Sequence, residues 1–160
     1  MGNQHAARGI ALLRIVIGFW FLKSGLSHLA FTPLPWVSDR WSIIMPKIVT
    51  RNAEGNPIGF VKKFLEEVVL PNSDLFAGMS GLAELGVGLS LLFGLASVLG
   101  AAGGLFLSIT YGLMTIHLQS SQGFHLVLVT AMIVFLVTRP GRVWGVDSIL
   151  FRLKPSVPIW

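Results

Sequence analysis

Residues 75–95 read LFAGMSGLAELGVGLSLLFGL, a stretch broken by a single charged side chain, Glu84. At about 1.5 Å per residue, a helix of this length crosses the roughly 30 Å hydrocarbon core of a bilayer. Working outward, the same character recurs downstream over about 98–118 and 124–137, and upstream over about 10–31. Thr32-Pro33-Leu34-Pro35 ends the upstream segment, because proline cannot continue a helix and restricts the residue before it. The links after Leu95 and Leu118 are short and uncharged, so the helices that they join must run antiparallel as neighbours. The expectation is an all-α membrane protein: an antiparallel four-transmembrane-helix bundle forming one membrane domain over residues 1–160, with both termini on one side.

Composition agrees. Hydrophobic residues make up 53% of the 160 positions, charged residues only 12%, and mean hydropathy is +0.74. A soluble domain carries about 25% charged residues, so much of this surface must face lipid. The lipid bilayer is therefore the first expected partner. Cysteine is absent, which excludes disulfides, thiolate nucleophiles and thiolate-held zinc or iron–sulfur clusters. The net charge of +5 is spread over both ends and one loop, with no basic stripe. Nucleic acid is rejected as a partner, and headgroup contact is preferred. The first apolar run is too long for a signal-peptide core and lacks a small-x-small cleavage site, so it reads as a retained span.

Residues 32–74 form a long extramembrane loop. Within it, Phe60, Val61, Phe64, Leu65 and Val68 have helical spacing with charges opposite, which predicts a short surface helix over Ile58–Leu70. It would either cap the bundle or dock a partner. Trp36 and Trp41 suit an interfacial aromatic belt. Basic residues divide evenly between the termini (Arg8, Arg139, Arg142, Arg152, Lys154) and the loop (Arg40, Lys47, Arg51, Lys62, Lys63). Long loops translocate with weak regard to charge, so the expected arrangement has both termini cytoplasmic in a prokaryotic cytoplasmic membrane.

Ionisable residues inside spans are expensive and need a partner, a water path or a snorkelling route. Arg14, Gly18, Phe21, Gly25 and His28 share one stripe of the first span. Ala77, Gly81, Glu84 and Gly88 share one of the second, and Gly104, Ser108, Tyr111 and Thr115 one of the third. Small residues let membrane helices approach closely, so these stripes are expected to face each other. With spans starting at 10 and ending at 95, Arg14 stands about 6 Å and Glu84 about 17 Å from the same membrane edge, and a long guanidinium can bridge most of that gap. Three readings of Glu84 stay open: a buried Arg–Glu pair fixing helix register, a proton-linked or ligand-binding carboxylate, or a residue facing a partner subunit. Lys23 falls opposite the stripe with Trp20, Ser24 and Ser27, either snorkelling to headgroups or docking another subunit. His28, His117 and His125 flank the outer ends of three spans, but no HxxxH or HxxE spacing supports a metal site, and none is assigned.

Three segments carry a family resemblance. Leu13-Arg14-Ile15-Val16-Ile17-Gly18-Phe19-Trp20-Phe21-Leu22-Lys23-Ser24-Gly25 opens the chain's first span, Gly81-Leu82-Ala83-Glu84-Leu85-Gly86-Val87-Gly88 carries an acidic motif in the second, and Arg139-Pro140-Gly141-Arg142-Val143-Trp144-Gly145-Val146-Asp147 closes the bundle. Taken in order, they resemble the DoxX family of small four-helix membrane proteins. The family's first helix usually ends in a lysine where His28 stands. The resemblance implies kinship with the membrane subunit of a thiosulfate:quinone oxidoreductase, and with it a quinone as the candidate cofactor.

The leading functional expectation is a small accessory or structural subunit of a larger membrane redox or energy-converting complex, without catalytic activity of its own. Lys23, Trp20, Trp36 and Trp160 are its partner-contact candidates, Trp160 ending a Pro-containing tail. The alternative is a quinone-linked oxidoreductase subunit in which Glu84 accepts a proton beside Arg14, with Tyr111 and His28 as candidate quinone-binding residues. A small transporter ranks third, because so few polar residues leave little room for a wet path.

Overall fold

Peptide groups in lipid must find their hydrogen bonds within their own segment, which makes a helix the default for each apolar stretch. The computed structural model describes residues 2–29 and 38–156, and those residues form seven α-helices and no strand. They are α1 (Gly2–His28), α2 (Asp39–Glu54), α3 (Gly59–Phe64), α4 (Ser73–Phe93), α5 (Ser97–Met114), α6 (Gln119–Thr138) and α7 (Asp147–Leu153). Four stretches are long and apolar enough to cross a membrane: Gln4–His28, Gly59–Phe93, Ser97–Met114 and Gln119–Thr138. The chain is thus an integral membrane protein of four spanning helices.

α1 packs most closely on α4 and α5 on α6, and a less extensive α4–α5 contact joins the two pairs. The α1–α4 seam is backbone on backbone. A Cβ added at Gly18 would fall 2.5 Å from the Leu92 nitrogen, and one at Gly25 2.6 Å from the Leu85 nitrogen. These two contacts fix the register: Gly25 stands level with Leu85 and Gly18 with Leu92. Ile17, Phe21, Leu91, Met132 and Phe135 fill the core beside this seam. Outward-facing apolar residues such as Leu126, Val127 and Val137 are the lipid-facing complement.

The expected loop over 32–74 needs correction. Much of it is helical, and it makes a cap. α2 lays Val49 and Ala53 on Leu65 and Val69, with Phe76 and Met114 packed alongside. The surface helix expected over Ile58–Leu70 is present as α3, shorter than expected. It continues into α4 through a π turn at Leu65–Val69 and a 3-10 turn at Leu70–Asn72. Pro71 lacks the N–H of a regular α-turn, and the altered turns absorb that loss. α2 itself escaped notice because Pro46 interrupts it and its charges mask the apolar face.

The span edges also differ. α1 starts at Gly2 instead of Ile10 and ends at His28, α5 stops at Met114 instead of Leu118, and α6 starts at Gln119 instead of Phe124. Hydropathy reports where lipid contact begins, so the starts of α1 and α6 extend past it into the polar interface, while apolar residues such as Ile116 and Leu118 lie in the turn after α5. The cap is tied down at two places. Ser38 N–H donates to the His28 carbonyl at 2.9 Å, and Asn56 Nδ2 donates to the carbonyls of Leu113 and Met114 at 3.0 and 3.1 Å.

Candidate functional site

The bundle holds two buried polar centres, one under the cap and one at the end bearing the termini. Their separation follows from helix direction. A helical side chain leans toward its helix's N-terminus. α1 begins at the terminal end, so Arg14 leans away from the cap. α4 begins at the cap end, so Glu84 leans toward it. The expected Arg14–Glu84 pair therefore does not form. By the seam's register, Glu84 stands near Gly25, which is 11 residues from Arg14, or about 16 Å along the helix. The wheel gave the correct azimuth for both residues and said nothing of their tilt.

Arg14 is 0% exposed and serves the terminal end. Its Nη1 donates to the Leu91 carbonyl at 2.8 Å and its Nη2 to the Trp144 carbonyl at 3.2 Å. Leu91 lies in the last turn of α4, where carbonyls lack helical partners and the helix dipole favours a cation. Gly94 follows with φ +62°, and a Cβ there would meet the Arg14 guanidinium. Glycine is required at this turn on both counts. Asp147, also 0% exposed, accepts the N–H groups of Ala96 and Ser97 at 2.7 and 2.9 Å. These are the free donors at the start of α5. The segment after α6 is thereby clasped onto the α4–α5 turn.

Glu84 is 2% exposed and sits under the cap. Tyr111 Oη of α5 donates to its Oε1 at 3.0 Å. Its Oε2 faces His28 Nδ1 of α1 at 3.5 Å. Both of those atoms are buried and their contact is long for a hydrogen bond, and Ser24 of α1 is a further hydrogen-bonding neighbour of the carboxylate. The His28 ring meets Trp41 of α2 edge to face, centroids 3.8 Å apart, so the cap bears directly on the imidazole. On the other flank, His125 of α6 lies 6.3 Å from the Tyr111 ring. α1 and α5 thus reach the carboxylate on α4, with α2 and α6 packed behind them, and the carboxylate can accept a proton or a hydrogen bond from a polar headgroup.

Glu84, Tyr111 and His28 are brought together. Arg14 is not among them. Lys23 is exposed and faces away. Trp20 is 38% exposed and packs edge to face on Phe21 and Phe124, so part of its ring is used within the chain. Trp36 and Trp160 lie outside the described residues. Sequence reasoning overlooked Asp147 as a buried clasp and Trp41 as the roof over His28. The signal for Asp147 was its place after a Pro-Gly-Arg turn. Trp41 gave none, because its helix was hidden.

The DoxX family model matches residues 9–118, more than half of the chain. No curated protein and no solved structure matches it.

Proposed function

The chain belongs to the DoxX family, and from that premise we propose that it is a small membrane subunit of a redox assembly whose own contribution is proton handling at Glu84. The observation that carries this reading is the buried approach of Glu84 Oε2 to His28 Nδ1 at 3.5 Å, beside the Tyr111 hydroxyl on Oε1. A buried carboxylate facing an imidazole at this long distance costs stability. Such a cost in a membrane interior suits a group that changes partners during work.

The carrier class that fits is a lipid-soluble quinone. Its reduction takes two electrons and two protons at its ring oxygens. Electrons come from a partner subunit, and Glu84, reprotonated between the two transfers, would deliver both protons to the quinone oxygens. His28 returns a proton to Glu84 from the cap side, and Tyr111 holds the carboxyl in place. Arg14 has no part in this step, since its donors serve Leu91 and Trp144.

The test compares native membranes carrying the wild-type chain with membranes carrying Glu84→Gln. Quinone-dependent turnover of the assembly that co-purifies should fall by about 100-fold or more, the scale of a lost general acid. The amount of assembled complex should stay constant. Unchanged turnover at equal assembly would reject the proposal.

A further inference from the structure

α7 begins where two spans end. α6 stops at Thr138, and the N–H groups of Val146 and Asp147 donate to the carbonyls of Phe93 and Gly94, at the end of α4, at 3.1 and 2.8 Å. Phe93 and Val137 are exposed apolar residues in the last turns of those spans, so lipid contact extends to this depth. α7 therefore starts where the bundle leaves the hydrocarbon.

At about 100° per residue, this short helix has three faces. Asp147 and Phe151 share the packed one: Asp147 is fully buried against the start of α5, and the Arg142 guanidinium lies 3.9 Å above the centre of the Phe151 ring. Ser148 and Arg152 share a polar face to one side of it. Val146, Ile149 and Leu153 fall to the other side, within an arc of about 60°. Ile149 is 60% exposed and Leu153 72%. A helix that lies along a water–hydrocarbon boundary beside a bundle needs these three faces, one for protein, one for water and one for lipid.

Trp144 stands in the turn before α7, 61% exposed and at φ +54°, a conformation costly for a bulky side chain. Its carbonyl accepts from Arg14 Nη2, and a Cβ at the next residue, Gly145, would fall 2.4 Å from the Gly141 carbonyl oxygen. Close packing thus holds an indole outward at a span's end. An apolar ring with one N–H suits the headgroup layer.

We propose that residues 144–153 form an in-plane anchor in the membrane interface. Val146, Ile149 and Leu153 enter the acyl boundary, Ser148 and Arg152 face water, and the bilayer itself covers the apolar face. Because the Trp144 carbonyl is bonded to Arg14, the anchor also sets the depth of the clasped end. The inference does not rest on the Glu84 reading.

The chain has no cysteine, so single labels can be placed on it cleanly. Ile149→Cys, Leu153→Cys, Ser148→Cys and Arg152→Cys, each in the full chain, carry a nitroxide in vesicles of phosphatidylglycerol and phosphatidylcholine. Power saturation compares oxygen, which concentrates in lipid, with a water-soluble nickel chelate. Labels at positions 149 and 153 should lie about 5–10 Å into the headgroup–acyl boundary, with those at 148 and 152 reached mainly by the chelate. Chelate access at 149 and 153 equal to that at 152 would overturn the proposal, because the face would then lie in water. Shielding of 149 and 153 from both reagents would overturn it too, because protein would then cover the face. A second measurement leaves α7 unaltered: the emission lost in Trp144→Phe should be quenched more by lipids brominated on the upper acyl chain than by aqueous iodide. The reverse order would contradict the anchor.

Discussion

The clasp at the terminal end and the cluster under the cap both bury charged groups inside a membrane bundle, yet they are built to different standards. In the clasp, Asp147 uses both oxygens on backbone amides, and Arg14 places two nitrogens on the carbonyls of Leu91, at the end of α4, and Trp144, in the closing loop, with only its Nε left over. In the cluster, Glu84 has one oxygen held by Tyr111 and the other turned to an imidazole at 3.5 Å, long for a hydrogen bond. Groups tied to the backbone hold a fold together. A carboxylate left half-tied, roofed by an element outside the membrane, retains freedom to exchange partners. The lesson is that burial alone does not mark function; what matters is what each buried atom is bonded to.

The sharpest way to break this comparison is to remove one member of each centre and measure unfolding in detergent. Asp147→Ala leaves the Ala96 and Ser97 amides without their acceptor. It should cost about 3–5 kcal/mol. Arg14→Gln should fall in the same range, while Glu84→Gln, which keeps the shape and can still bond Tyr111, should cost under about 1 kcal/mol. Equal costs at the two centres would erase the distinction.

The cap supplies a second comparison. Asn56→Ala removes two hydrogen bonds to the end of α5 and should cost about 1–3 kcal/mol. Hydrogen exchange should rise in α2 before it rises in α4. Uniform exchange across both would mean that the cap and bundle open as one unit. Tyr111→Phe removes the single bond to Glu84 Oε1 and should cost about 1 kcal/mol, with a larger effect on turnover than on melting. The smallest effect belongs to Lys63→Ala, whose pair with Glu67 is exposed and 3.9 Å long. It should change stability by less than about 0.5 kcal/mol.

Much of the bundle was legible in the sequence because lipid imposes one simple demand, a continuous apolar helix about 20 residues long. Segment 75–95 met that demand plainly, and its small residues correctly indicated close packing. The cap was not legible. α2 contains Pro46, Arg40, Lys47 and Arg51, and it is held by tertiary contacts of Val49 and Ala53 that composition cannot reveal. Within the site, the stripes placed Glu84, Tyr111 and His28 on facing surfaces. The pairing of Arg14 failed because side-chain lean depends on chain direction, and because the first helix extends eight residues beyond its apolar start, from Ile10 back to Gly2. Asp147 was hidden for another reason: its partners are backbone amides about 50 positions away in the chain, and no spacing rule reaches that far.

The most direct test of a working carboxyl at Glu84 is an infrared difference spectrum of the full chain in nanodiscs, recorded with and without a short-chain quinone. The account predicts a carboxyl-stretch change on quinone addition that is present in the wild type and in Arg14→Lys and missing in Glu84→Gln. A spectrum with no carboxyl change, or one that survives in Glu84→Gln, would contradict it.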